Sequence, residues 1–251
     1  MNAAAWRLLR AEWTKAHTVS STGWLVAAIA GTTLALGGAA AAATHCSSGS
    51  CDPIRTSLTG VQLGQVAVVL LAVLAVGTEY STGTIQATLA AAPRHGRVLA
   101  AKVTLLCALV LPVGAASVAG SLLVGRAVSP GHGFRLLTAS ALRAAGGSVL
   151  YLVLIALLTL GVTFAVRNSA AAIGTVLALL YLTPIVAGVV TDTRWQRHLL
   201  QLAPMSAGLS VQATVGIHDL PIGPWPGLGV LAGWTAAALL AGATILWRRD
   251  T

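Results

Sequence analysis

Charge is what this sequence has least of. Asp, Glu, Lys and Arg together make up 8% of its 251 residues, against about 25% in an ordinary soluble domain. A chain that is 56% hydrophobic cannot cover its apolar surface with so few charges, so a water-soluble fold is excluded and a membrane-embedded one follows. Lysine is reduced to Lys15 and Lys102. Neither stands in a G-x-x-x-x-G-K-[ST] context, so the chain does not cradle nucleotide phosphates in the P-loop manner. The acidic residues are Glu12, Asp52, Glu79, Asp192, Asp219 and Asp250. None falls in the middle of an apolar run, which argues against a proton-driven carrier or an intramembrane protease built on buried carboxylates. H-E-x-x-H and G-x-S-x-G are both missing. His17, His45, His95, His132, His198 and His218 are scattered, and no Cys/His set has metal-binding spacing. No catalytic residue, metal or cofactor is expected in the chain itself.

Cysteine is scarce too. Cys107 lies inside an apolar run and reads as a small packing residue. Cys46 and Cys51 flank Ser-Ser-Gly-Ser in a polar stretch and could form a disulfide if that loop faces an oxidising compartment. The net charge of +9 would suggest nucleic acid in a soluble protein. Here the cations sit at the ends of apolar runs, where they set orientation and meet lipid headgroups. With no basic face interleaved with aromatics, nucleic acid is not an expected partner; the bilayer is.

Six apolar runs are long enough to span a bilayer, at 23–44, 59–77, 98–124, 143–166, 168–191 and 225–247, since each crossing needs about 20 residues. The first is too long, and its basic flank too extended, for a cleaved signal peptide, so it reads as an uncleaved spanning helix. Pro112 and Pro184 fall inside two runs, which predicts kinks whose freed carbonyls neighbouring helices must satisfy. Only Arg-Asn-Ser separates the fourth and fifth runs, which predicts a tight helical hairpin. The fold class is therefore all-α, a single membrane domain of six spanning helices. With an even number of crossings the termini share a side. That side carries Arg7, Arg10, Lys15, Arg94, Arg97, Lys102, Arg167, Arg248 and Arg249. The other carries Arg55, Arg126, Arg135, Arg143, Arg194 and Arg197. The excess places both termini in the cytoplasm.

Three segments lie outside the spans. In 1–22, Ala5, Trp6, Leu9, Trp13 and Ala16 form one helical stripe with Arg7, Arg10 and Lys15 off it, the pattern of an amphipathic helix lying in the membrane interface. The stretch 78–97 forms a polar elbow. Ser81 and Thr82 can cap a helix, Ile85 and Leu89 share one of its sides, and Pro93 and Gly96 end it. The third, 192–224, reads as a short interfacial helix around Trp-Gln-Arg-His-Leu-Leu-Gln-Leu and then an irregular external cap rich in Pro and Gly. Within the spans, Gln62 and Gln65 share a face of the second run, and Tyr151 and Tyr181 lie on the fourth and fifth. Such groups turn toward protein or a wet cavity. They are the candidates for lining a substrate cavity, alongside the plainer role of helix–helix hydrogen bonding.

The stretch Ala75–Lys102, with its E-Y-x-x-G-T-I at Glu79 and P-R-x-x-R at Pro93, resembles the first intracellular loop of bacterial type-2 ATP-binding-cassette exporter permeases. The opening Arg-Leu-Leu-Arg-Ala-Glu-Trp-Thr-Lys and the hairpin from Tyr151 to Gly174 are similar to that family as well. The resemblance implies a six-helix permease of the bacterial plasma membrane. It further implies a homodimer that docks two copies of a separate cytoplasmic ATPase, which supplies ATP and Mg. It makes the elbow the coupling helix, with Glu79, Tyr80, Ser81, Thr84, Arg94 and Arg97 at the ATPase contact. Such a protein exports a hydrophobic or amphipathic cargo, such as a drug, antibiotic, peptide or lipid. The rival classes are a stand-alone secondary carrier, which would carry an inverted repeat and coupling-ion ligands, and a membrane scaffold or sensor that moves no cargo.

Overall fold

The computed structural model describes residues 13–14, 20–44, 51–81, 95–128 and 136–249, and no strand occurs among them. Six helical stretches are long and apolar enough to cross a membrane, so the protein is an all-α, multi-pass membrane fold. Helix α1 is Ser20–Ala43. A short α2, Pro53–Ser57, turns into α3, Val61–Ser81. Helix α4 is His95–Val128 and α5 is Ala139–Val166. The fifth span is built from α6, Ser169–Leu177, a π-helical turn at Ala178–Leu182, and α7, Thr183–Val189. Two short helices follow, α8 at Thr193–Leu202 and α9 at Pro204–Leu209, before α10, Pro224–Arg249.

Helices α3 and α5 are the most buried spans and form the centre of the bundle. Helices α1 and α4 pack on one flank, while α6 and α10 pack on the other. Between lipid-embedded helices there is no hydrophobic drive, so association rests on close van der Waals contact and hydrogen bonds. The α5–α10 seam shows the first device. A Cβ on Gly161 would lie 2.6 Å from the Leu239 nitrogen, and one on Gly242 would lie 2.7 Å from the Gly161 carbonyl oxygen. Only two glycines allow these backbones to meet. Two hydroxyls in the core of α5 are satisfied within their own helix: Thr159 and Thr163 donate to the Ile155 and Thr159 carbonyls at 2.7 Å.

The α5–α6 hairpin has the tightness expected of it. Arg167 adopts a left-handed conformation, φ 58°, and its N–H closes on the Thr163 carbonyl. Asn168 then caps α6 by accepting from the Ala171 N–H at 3.0 Å.

Three boundaries differ from the sequence expectation. The second span runs on to Ser81, so Glu79, Tyr80 and Ser81 lie on its last turn instead of opening a separate elbow helix. Nothing between Gly77 and Ser81 breaks a helix, and Ser81, expected as a cap of the elbow helix, closes the second span. Likewise α4 begins at His95, so Arg97 belongs to its first turn. What remains of the elbow, 82–94, lies outside the described residues, as does most of the amphipathic segment 1–22. The third difference is the connection between the fifth and sixth spans. Pro204–Gln212 is helical and buried, not irregular. Pro204 sits in the first turn, where its missing N–H costs nothing.

Candidate functional site

The four polar residues singled out within the spans are brought together where α3, α5 and the π turn meet. Gln65 of α3 and Tyr151 of α5 are both 0% exposed. The Tyr151 hydroxyl donates to Gln65 Oε1, and Gln65 Nε2 donates to the Met205 sulfur of α9 at 3.4 Å. Gly208 of α9 lies against the Tyr151 ring, where a Cβ would come within 2.7 Å of Cδ2 and Cε2. Tyr181, half-buried, donates its hydroxyl to the Gln62 backbone carbonyl. Its position follows from Pro184, whose ring cannot donate to the Leu180 carbonyl. The chain widens into a π turn just ahead of it and aims Tyr181 at α3. One turn nearer the start of α5, Gln212 Nε2 donates to Ser148 Oγ at 3.1 Å, both groups buried. The seam is made of neutral amides, phenols, a hydroxyl and a thioether. It can hold helices in register or hydrogen-bond a neutral guest, but it holds no acid–base pair.

At one end of the bundle Asp52 gathers the loops. Its carboxylate caps α2 by accepting from the Arg55 N–H at 3.0 Å. It also accepts from the Thr214 N–H at 2.5 Å, the Thr214 hydroxyl at 2.6 Å and the Val215 N–H at 3.0 Å. Arg143 Nη2 donates to the neighbouring Ala213 carbonyl at 2.6 Å. The segments before α3 and before α10 are thereby tied to the start of α5. Cys51, beside this latch, is disulfide-bonded, and Cys107 is a free thiol. Cys46 lies outside the described residues.

At the opposite end Lys102 is fully buried in α4, and its Nζ donates to the Ala75 carbonyl of α3 at 3.0 Å. These are the two stems of the elbow. Of the residues expected at an ATPase contact, Glu79, Tyr80, Ser81 and Arg97 lie on helix turns at the stem ends, while Thr84 and Arg94 lie outside the described residues. No group of three or more His, Cys, Asp or Glu placed to hold a metal occurs among the described residues.

Sequence reasoning missed Lys102, Asp52, Met205 and Gln212 as structural contacts. Two of these had a signal. Asp52-Pro53 is an N-cap followed by a proline at the first helical position, and a lone lysine within an apolar run demands a polar partner. Met205 and Gln212 had none, because the segment that carries them does not read as a helix. No family model matches this chain, and no curated protein matches it.

Proposed function

We propose that this chain is the membrane subunit of an ATP-driven exporter of the type-2 ATP-binding-cassette kind. In this reading it works as a homodimer in the bacterial plasma membrane, with both termini in the cytoplasm. The elbow between α3 and α4 receives motion from a separate ATPase that holds ATP and Mg, and a hydrophobic or amphipathic cargo is moved by the bundle. The observation that supports it most is the Lys102–Ala75 bond. An ordinary connecting loop has no need of a buried ammonium joining its two stems, since desolvating that charge is costly. A loop that must be displaced as a unit does. With its stems tied, a push on the elbow moves α3 and α4 together. Because α3 carries Gln62 and Gln65, that motion reaches the polar seam without a break. The E-Y-x-x-G-T-I stretch at the end of α3 supports the same assignment by resemblance.

The reading is tested by isolating the tagged chain from native membranes in mild detergent and sequencing what accompanies it. A stoichiometric polypeptide with G-x-x-x-x-G-K-[ST] that hydrolyses ATP is the expected result. Recovery of the chain with no such polypeptide, under conditions that preserve its own oligomer, would refute it.

A further inference from the structure

On the flank away from the polar seam, α4 and α5 enclose a cavity of about 410 Å³ lined only by Ala, Val, Leu and Gly, among them Ala119, Leu122, Leu136, Ala141, Ala145 and Val149. Its closed end is where the helices come together: a Cβ on Gly114 would touch Leu152 Cδ1 at 3.4 Å. From there the groove runs toward the ends of α4 and α5 that face each other across 129–135. Its side is open, since Leu123 and Leu142 are about three-fifths exposed. The volume falls within the range of ligand pockets, but the polar groups that orient a soluble ligand are missing from the lining. The lining residues of α4 recur at three- and four-residue spacing, and the next position on that stripe is Arg126, exposed in the last turn.

Length decides what fits. At 1.5 Å per residue, Arg126 lies about 16 Å along the axis from Ala115 at the closed end. One leaflet of a hydrocarbon core about 30 Å thick is about 15 Å deep. A purely aliphatic slot one leaflet deep, ending at a cation, matches a bilayer phospholipid in both parts. We propose that this groove binds one acyl chain of a membrane phospholipid whose phosphate meets Arg126, as a resident lipid and not as cargo. The site selects anionic headgroups, because Arg126 adds an attraction that a zwitterionic headgroup partly cancels with its own cation. The inference does not depend on the exporter reading.

Native mass spectrometry of the delipidated protein tests it, with phosphatidylglycerol, phosphatidylcholine and glycerol 3-phosphate as probes. One phosphatidylglycerol should bind ahead of any further lipid, about fivefold tighter than phosphatidylcholine, the factor that one surface cation supplies. Glycerol 3-phosphate, a headgroup without chains, should not bind. Ala119→Phe/Ala145→Phe fills the groove and should lose that first lipid, while Leu240→Phe on the exposed face of α10 should keep it. Arg126→Gln should bind both phospholipids equally. An unchanged first lipid in the filled variant overturns the proposal. So does a phosphatidylglycerol preference that survives Arg126→Gln, which also serves if the filled variant fails to fold. Binding of glycerol 3-phosphate alone would mark a free-anion site, and loss of self-association in the filled variant with its lipid intact would mark a contact between copies. Either result excludes the lipid slot.

Discussion

Removing the phenolic hydroxyl in Tyr151→Phe leaves the Gln65 carbonyl oxygen in a fully buried setting without its donor. Hydrogen bonds between membrane helices contribute only about 0.6 kcal/mol on average, whereas orphaning a buried acceptor costs about 1–3 kcal/mol. The second term governs here, because the ring shape is kept and the acceptor stays fully buried. Tyr151→Phe is therefore expected to lower stability by about 1–3 kcal/mol, and Tyr151→Phe/Gln65→Leu to recover part of the loss, both read by thermal unfolding in one detergent. No recovery in the double variant would mean that the seam acts through shape alone. Asp52 makes the opposite kind of contact, a carboxylate accepting four donors, one from the α2 backbone and three from Thr214 and Val215. Asp52→Ala leaves the Thr214 and Val215 N–H groups without an acceptor. Hydrogen exchange at those two amides should rise at least tenfold, while exchange in α3 and α5 stays at the wild-type rate. Uniformly faster exchange would assign Asp52 to global folding instead of the loop latch.

At the level of elements, the α5–α10 seam is set by backbone contact at Gly161 and Gly242. Gly161→Val drives a branched side chain into the Ala238–Leu239 backbone, which cannot yield as a flexible side chain would. Overpacking of this kind costs about 1–3 kcal/mol or more, and the folded yield in gel filtration should fall sharply. Gly233 of α10 faces open space, so Gly233→Ala should be neutral or stabilise by up to about 1 kcal/mol through helix propensity. Equal loss in both would show that contact distance does not decide which glycine can be replaced, and the close-contact account would fail. The spans themselves were legible, since apolar runs about 20 residues long have few other fates. So was the two-residue α5–α6 hairpin. The Pro204–Gln212 segment was not, because Pro204, Gly208 and the apolar residues between them read equally well as irregular cap. Only the surroundings, the Tyr151 ring and Gln65, decide that it folds inward as helix. The second-span boundary was missed for a related reason: a polar side chain such as Glu79 marks the edge of the hydrocarbon but does not stop a helix. In the candidate site, the inward turn of Gln65 and Tyr151 follows from their polarity, but no sequence pattern discloses that they pair or that Met205 completes the contact.

Across the whole molecule, the polar contacts separate into two ends and a middle. Asp52, Arg143 and Ala213–Val215 tie the loops at one end, and Lys102 and Ala75 tie the elbow stems at the other. Between them α3 runs as the common strut that carries Gln62 and Gln65. In the proposed reading α3 is the coupling element, a stiff path from the Lys102 end to the polar seam within the bundle. The most direct measurement of that claim is ATP hydrolysis by the ATPase that the exporter reading requires, reconstituted with the wild-type chain, Glu79→Ala or Arg94→Glu in liposomes. The exporter reading puts both positions at the membrane surface, where effects of substitution on folding usually stay within about 0.5 kcal/mol. Loss of a charge pair buried at the ATPase contact would cost about 2–5 kcal/mol. The account predicts normal insertion and oligomeric state for both variants, with ATPase association or chain-dependent hydrolysis reduced at least severalfold. Association and hydrolysis at the wild-type level in both variants would contradict it and leave the elbow as a simple connection between two spans.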